Sequence, residues 1–155
     1  MAHVQQECIM NRVSFVVEGI PIAQPRLAQS WKGGRRVAYV ARTSKGAEHP
    51  VKAFKQTCAL RCKEVLSRPL EGAIGFRVVF VLPRPLRLKR GPRQWCPVKP
   101  DAHDNLMKSW SDAVKGIAWK DDCQLVKGSF EKVYAASGEE PHTEVEIWEE
   151  KGVVE

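Results

Sequence analysis

Residues 99 to 126 read KPDAHDNLMKSWSDAVKGIAWKDDCQLV. Leu106, Trp110, Ala113, Val114 and Ile117 recur at steps of three and four, which is the apolar stripe of an amphipathic helix laid on a core. Asp104 stands where an N-cap belongs, its short carboxylate able to accept from the first free backbone N–H groups. Gly116 is placed to end the helix in a left-handed conformation. The spacing predicts a helix over about 105 to 115, roughly 16 Å long at 1.5 Å per residue. Asp101 and Asp104 therefore lie at one end, with Asp121 and Asp122 beyond the other. The two pairs meet only if the chain after Gly116 returns as a strand beside the helix start, and Gln124-Leu125-Val126 has the composition for it.

Carboxylates gathered in one place repel and raise one another's pKa unless a cation neutralises them. Hard oxygen ligands suit Mg²⁺ or Mn²⁺, and an ion so held can orient a water toward a phosphodiester and offset the charge that develops. Lys108, one turn after Asp104, adds a fixed positive charge where a scissile phosphate would lie. The same residues also read as an ordinary N-cap, turn residues and a solvated helix face.

The run KPD, then DNL, a helix, and W-x-DD-x-QLV resembles the RusA family of Holliday junction resolvases, endonucleases of bacteria and their phages. The likeness extends from about Val13 to Trp148. Gly19-Ile20-Pro21 with Gln24-Pro25-Arg26 is similar to the family's first strand and basic loop, Pro69-Leu70-Glu71-Gly72 to the approach to its central strand, and Glu144-Val145-Glu146-Ile147 to its last strand. The resemblance implies a homodimeric α+β fold, a mixed sheet covered by two main helices. It implies paired symmetric nicks in four-way DNA junctions with Mg²⁺, Mn²⁺ being a possible substitute, in DNA recombination and repair in the cytoplasm.

Carried over by position, Asp104 matches the Asp before Asn-Leu, Lys108 the catalytic lysine, and Asp122 the second Asp of the Asp-Asp pair. Asp101, Asp104 and Asp122 become the expected metal ligands, with Asp121 and His103 as outer-shell helpers. One departure stands out: the family has one residue between its first two aspartates, whereas Ala102 and His103 both lie between Asp101 and Asp104 here. Either a local bulge returns Asp101 to its place or His103 joins the ligands. Carboxylate oxygen suits Mg²⁺ better than imidazole nitrogen, which favours the bulge.

Twenty-five Lys and Arg against eighteen Asp and Glu give a net charge of +7, which favours a polyanionic partner. Five cysteines, no signal-like segment and no long apolar run argue for a reducing compartment, against a disulfide framework and against a membrane span. Cys58 and Cys62, one helical turn apart, read as buried structural thiols ahead of half a zinc site.

The expected organisation is an N-terminal extension over residues 1–11, a single domain over 12–150 and a C-terminal tail over 151–155. Val13 to Ile20, Ala73 to Leu82, Gln124 to Tyr134 and Thr143 to Trp148 read as strands, Ala73 to Leu82 as the central one. Arg35 to Val40 reads as a short strand that closes a hairpin or returns to the sheet, and His49 to Leu66 as a helix with Pro50 in its first turn. Two basic segments are candidate DNA contacts. The first is a glycine-bearing loop with Arg26, Lys32, Arg35 and Arg36; the second is a proline-rich arm from Pro83 to Pro100 with Arg84, Arg87, Lys89, Arg90, Arg93 and Lys99. Trp95 on that arm is read either as core filler or as packing on a sugar or base. Two rival functions share these residues. A non-catalytic DNA-structure-binding protein would have the basic loops and a disrupted metal site, and a phosphatase acting on small substrates would have little use for the arm.

Overall fold

The computed structural model describes residues 11–152. The extension expected at residues 1–11 falls outside the described residues except for Asn11, whose side-chain amide donates to Glu149 at 3.1 Å. The tail residues 153–155 also lie outside them.

The strands are β1 (Arg12–Glu18), β2 (Ala28–Lys32), β3 (Arg35–Tyr39), β4 (Ile74–Leu82), β5 (Gln94–Trp95), β6 (Leu125–Tyr134) and β7 (His142–Glu149). The α-helices are α1 (Val51–Val65) and α2 (Met107–Val114). Five strands make one mixed sheet in the order β1-β7-β4-β6-β5, and β2 and β3 form a separate hairpin. β4 and β6 are parallel while the other pairings are antiparallel. A parallel pair needs a long crossover, and the segment carrying α2 supplies it.

This is the α+β arrangement anticipated, with the apolar β4 in the middle. Its Ile74, Val78 and Phe80 are fully buried against α1 and α2, together with Val17 and Ile147. α1 buries Val51, Phe54, Cys58 and Cys62. Burial pushes the Cys58 thiol up to about 12 and Cys62 to about 11, as expected of inert core thiols. The α2 stripe is seated as its spacing predicts: Leu106, Trp110 and Val114 have no exposed surface. Trp110 meets Phe76 and Trp119 edge-on, with ring centroids at 5.7 and 5.9 Å. Gly128 lies under the Phe76 ring, where a Cβ would come within 2.1 Å of it.

The two basic segments each take a definite form. The loop after β1 is an ordered hairpin, because Gly33 and Gly34, at φ 58° and 76°, make the left-handed two-residue turn that joins right-twisted strands. The arm from Pro83 to Pro100 is folded down onto the edge of the sheet. β5 pairs with Val133 and Tyr134, and Gly91 exchanges hydrogen bonds with Ser137 at 2.8 and 3.0 Å.

Candidate functional site

Asp101 leads into a π-helical turn over Ala102–Leu106 that continues directly into α2. Its carbonyl accepts from the Leu106 N–H at 3.0 Å, a bond that spans five residues instead of four. Such a turn holds one residue more than an α-turn does. Ala102 and Leu106 enter the core while His103 and Asp104 face solvent. The expected N-cap is corrected accordingly. Helical backbone starts at Ala102, so Asp101 is the cap position, without a side-chain cap bond, and Asp104 lies inside the turn with its carboxylate 3.3 Å from His103 Nε2. Lys108 is exposed one turn further on. Gly116 ends the helix at φ 85°, as read.

The second carboxylate pair occupies a 3₁₀ turn over Asp122–Gln124. Asp121 caps it: its carboxylate accepts from Cys123 N–H at 3.1 Å, while the Gln124 side-chain oxygen accepts from the Asp121 N–H at 3.0 Å. Chiefly through that backbone bond, with the Cys123 thiol and Lys115 adding, the Asp121 carboxyl is held below its ordinary value. Asp121 is thus spent on the turn. Asp122 points elsewhere: Trp119 Nε1 donates to one oxygen at 2.9 Å, and Lys115 Nζ lies 3.3 Å from the other.

Lys115 is a contributor that the sequence reading did not single out, while Trp119 and Gln124 stand in the W-x-DD-x-QLV run without an assigned role at the site. Gln124 also donates to the carbonyls of Leu70 and Gly72 at 3.3 and 3.1 Å, tying the turn to the approach to β4. Its place between the Asp-Asp pair and a strand was the available signal.

The return of the chain as β6 does not bring the two carboxylate sets together. Asp104 and Lys115, the partner of Asp122, are about 16 Å apart along the helix axis at 1.5 Å per residue. The sheet shows the same span. Leu125, just after Asp122, pairs with Ile74, while Lys132, whose Nζ bonds the Pro100 carbonyl at 2.6 Å, pairs with Phe80. Six strand residues separate those rungs, roughly 20 Å. Among the described residues no three His, Cys, Asp or Glu side chains converge on a point that could hold a metal ion. The donors fit a hard divalent cation by chemistry, since Asp101, Asp104 and Asp122 are all exposed carboxylates. One chain holds them as two separate groups.

The cations divide into two sets. Arg26, Lys32, Arg35, Arg36, Arg87, Lys89, Arg90 and Lys99 are exposed. Arg93 is exposed and Arg84 half-buried, and both also hold the arm itself together. Arg84 donates to the carbonyls of Pro92 and Ala135 at 2.9 and 3.1 Å and to that of Lys89. Arg93 bonds Glu139 at 2.7 Å and Glu144 at 2.9 Å. The fold of the arm creates these carbonyl and carboxylate partners, and Ala135, Glu139 and Glu144 are distant in sequence. Lys132 pins the end of the arm at the Val98 and Pro100 carbonyls, immediately before Asp101. Trp95 is 69% exposed, so it does not fill the core.

Among the described residues no helix is long and apolar enough to cross a membrane. The family model described as Endodeoxyribonuclease RusA matches residues 18–148, a span that contains both carboxylate groups, the hairpin and the arm. A search of curated proteins returns no match.

Proposed function

We propose, from the premise that the chain belongs to the RusA family of endodeoxyribonucleases, that it is a metal-dependent, structure-specific endonuclease that resolves four-way DNA junctions by paired symmetric nicks during recombination and repair. The observation that carries this reading is the family match over a span in which Asp101, Asp104, Lys108 and Asp122 all stand exposed beside basic surface. Residues 12–150 act as its one nuclease domain, in the cytoplasm of a bacterium or phage-infected cell.

Asp101, Asp104 and Asp122 would hold Mg²⁺, or Mn²⁺ in its place, and the chemistry the ion supplies when bound is activation of a water and neutralisation of charge on the phosphodiester. Lys108 sets a compact positive charge one turn from Asp104, where it stabilises the charge that builds on the phosphate oxygens. Trp119 and Lys115 fix the orientation of Asp122, each on a different oxygen. His103, beside Asp104, and Asp121, which builds the turn, support the carboxylates without replacing them. Arg26, Lys32, Arg35, Arg36, Arg87, Lys89, Arg90 and Lys99 hold the DNA backbone.

A homodimer completes this scheme. Two nicks in opposed strands call for two sites related by a twofold axis, and a second copy brings a second Asp101–Asp104 pair and a second Asp122. Sharing between copies accounts for the separation of the two groups in one chain.

The separation also favours a second reading, a DNA-structure-binding protein that does not cut. Incubation with a labelled four-way junction and a matching linear duplex, in Mg²⁺, Mn²⁺ or EDTA, decides between them. Metal-requiring paired nicks that spare the duplex support the resolvase; tight junction binding with no cutting in either metal supports the binding protein.

A further inference from the structure

From Gly19 to Ala47 the chain carries Arg26, Lys32, Arg35, Arg36, Arg42 and Lys45 and no carboxylate. This stretch contains the β2–β3 hairpin, which has no hydrogen-bonded neighbour in the main sheet. Apart from Ala28, every residue of the two strands is exposed. An isolated two-stranded hairpin in water is marginal, and this one exposes its large apolar side chains as well. Trp31 is 73% exposed, the most of any tryptophan among the described residues. It sits directly opposite Arg36, with Lys32 and Arg35 paired at the next rung beside the Gly33-Gly34 tip. The root of the hairpin is fixed next to the candidate catalytic end: the Gln24 N–H donates to the Asn105 carbonyl at 3.0 Å, one residue from Asp104.

A projecting indole, flanked by guanidinium and ammonium groups in a stretch without acids, offers a flat apolar face together with phosphate partners. That combination fits an unstacked nucleobase and its backbone. Bases inside a duplex are stacked on both faces and offer nothing to an indole, whereas a branch point has bases with a face to give. We infer that Trp31 stacks on a base exposed at the branch point, making the hairpin tip the element that distinguishes a junction from a linear duplex. This rests on the proposed action on branched DNA. Trp31 is a specificity-determining residue and takes no part in phosphodiester chemistry.

The test uses the full chain in EDTA, so that nothing is cut, with a four-way junction carrying 5-iodouracil either at the branch point or well out along one arm. Irradiation is expected to cross-link Trp31 to the branch-point base and not to the arm base. Trp31→Ala is expected to weaken junction binding by roughly 10- to 100-fold, the range for losing one stacked base. Its duplex affinity and salt dependence should be unchanged, because no charge is lost, and Trp31→Phe should recover most of the binding. A branch-point cross-link elsewhere with none at Trp31, or equal loss on junction and duplex, overturns the inference while leaving the endonuclease reading intact. A fall from dimer to monomer in Trp31→Ala, by light scattering, assigns the hairpin to a second copy and overturns it too. Failure of the wild-type protein to bind the junction removes both readings.

Discussion

Asp122→Asn separates a catalytic role for this carboxylate from a structural one. The substituted amide keeps an oxygen for the Trp119 N–H, now held at 2.9 Å, and loses only the pairing with Lys115. Both partners of that pair are substantially exposed, 44% for Lys115 and 50% for Asp122. An exposed pair of this kind is worth about 0.2–1 kcal/mol. At about 2–4 °C per kcal/mol for a chain of this size, the midpoint should fall by no more than roughly 4 °C. Cutting should respond on another scale. Loss of a metal ligand that offsets transition-state charge costs several kcal/mol, and about 3 kcal/mol already amounts to a ~100-fold slower rate. Junction affinity should hold or rise, since one negative charge leaves a surface that approaches phosphate. Thermal melting, junction binding in EDTA and single-turnover cutting in Mg²⁺ measure the three quantities on one preparation. Cutting at the wild-type rate would remove Asp122 from the ligand set; a much larger fall in melting temperature together with lost binding would make its role structural.

Three further outcomes are expected. The Glu139 carboxyl is held at about 2 instead of 4.5, chiefly by its hydrogen bonds with Arg93; a depressed carboxylate stabilises fully above its unfolded pKa and loses that contribution as pH falls. The melting-temperature gap between wild type and Arg93→Ala should therefore be constant above about pH 5 and close as pH falls toward 2, and a gap that stays constant would refute the pairing. Arg87→Ala with Arg90→Ala should weaken junction binding and flatten its salt dependence by roughly one unit of slope per lost phosphate contact, whereas an unchanged slope removes the arm tip from the DNA surface. Asp104→Asn and Asp122→Asn subunits, each inactive alone, should regain single-strand nicking when mixed. Random exchange gives one intact shared site in half the dimers, roughly a quarter of the wild-type sites. A mixture as inactive as its components places each site within one chain.

Periodicity made the helices and the central strand legible. The Leu106–Trp110–Val114 stripe and the apolar run of β4 carry their burial in their spacing, and both are seated as read. What the sequence hid depends on distant partners. Nothing local marks Arg84 as a donor to three carbonyls of the arm and its neighbour, or Arg93 as the partner of Glu139 and Glu144 more than forty residues on. Both look like any other cation in a basic run. The Gly33-Gly34 pair was visible, yet a hairpin needs its strands, and Ala28–Lys32 has little apolar alternation because neither face is buried. At the candidate site, residue type and order single out Asp101, Asp104, Lys108 and Asp122 as candidates, and all four are exposed. Their division into two groups follows from strand register and helix length, which sequence order leaves open.

The widened turn at Ala102–Leu106 acts as a shim in the helix axis. An added residue there is taken up by a bond that reaches one position further back, so Leu106, Trp110 and Val114 stay in phase with the core. Downstream, the interval from Asp104 to Lys108 is rigid, because one helical turn sets it. Upstream, the interval from Asp101 to Asp104 is elastic, because a turn can expand without disturbing the helix beyond it. In this chain the extra residue between Asp101 and Asp104 is therefore absorbed ahead of the helix, and the spacing from Asp104 to Lys108 does not register it.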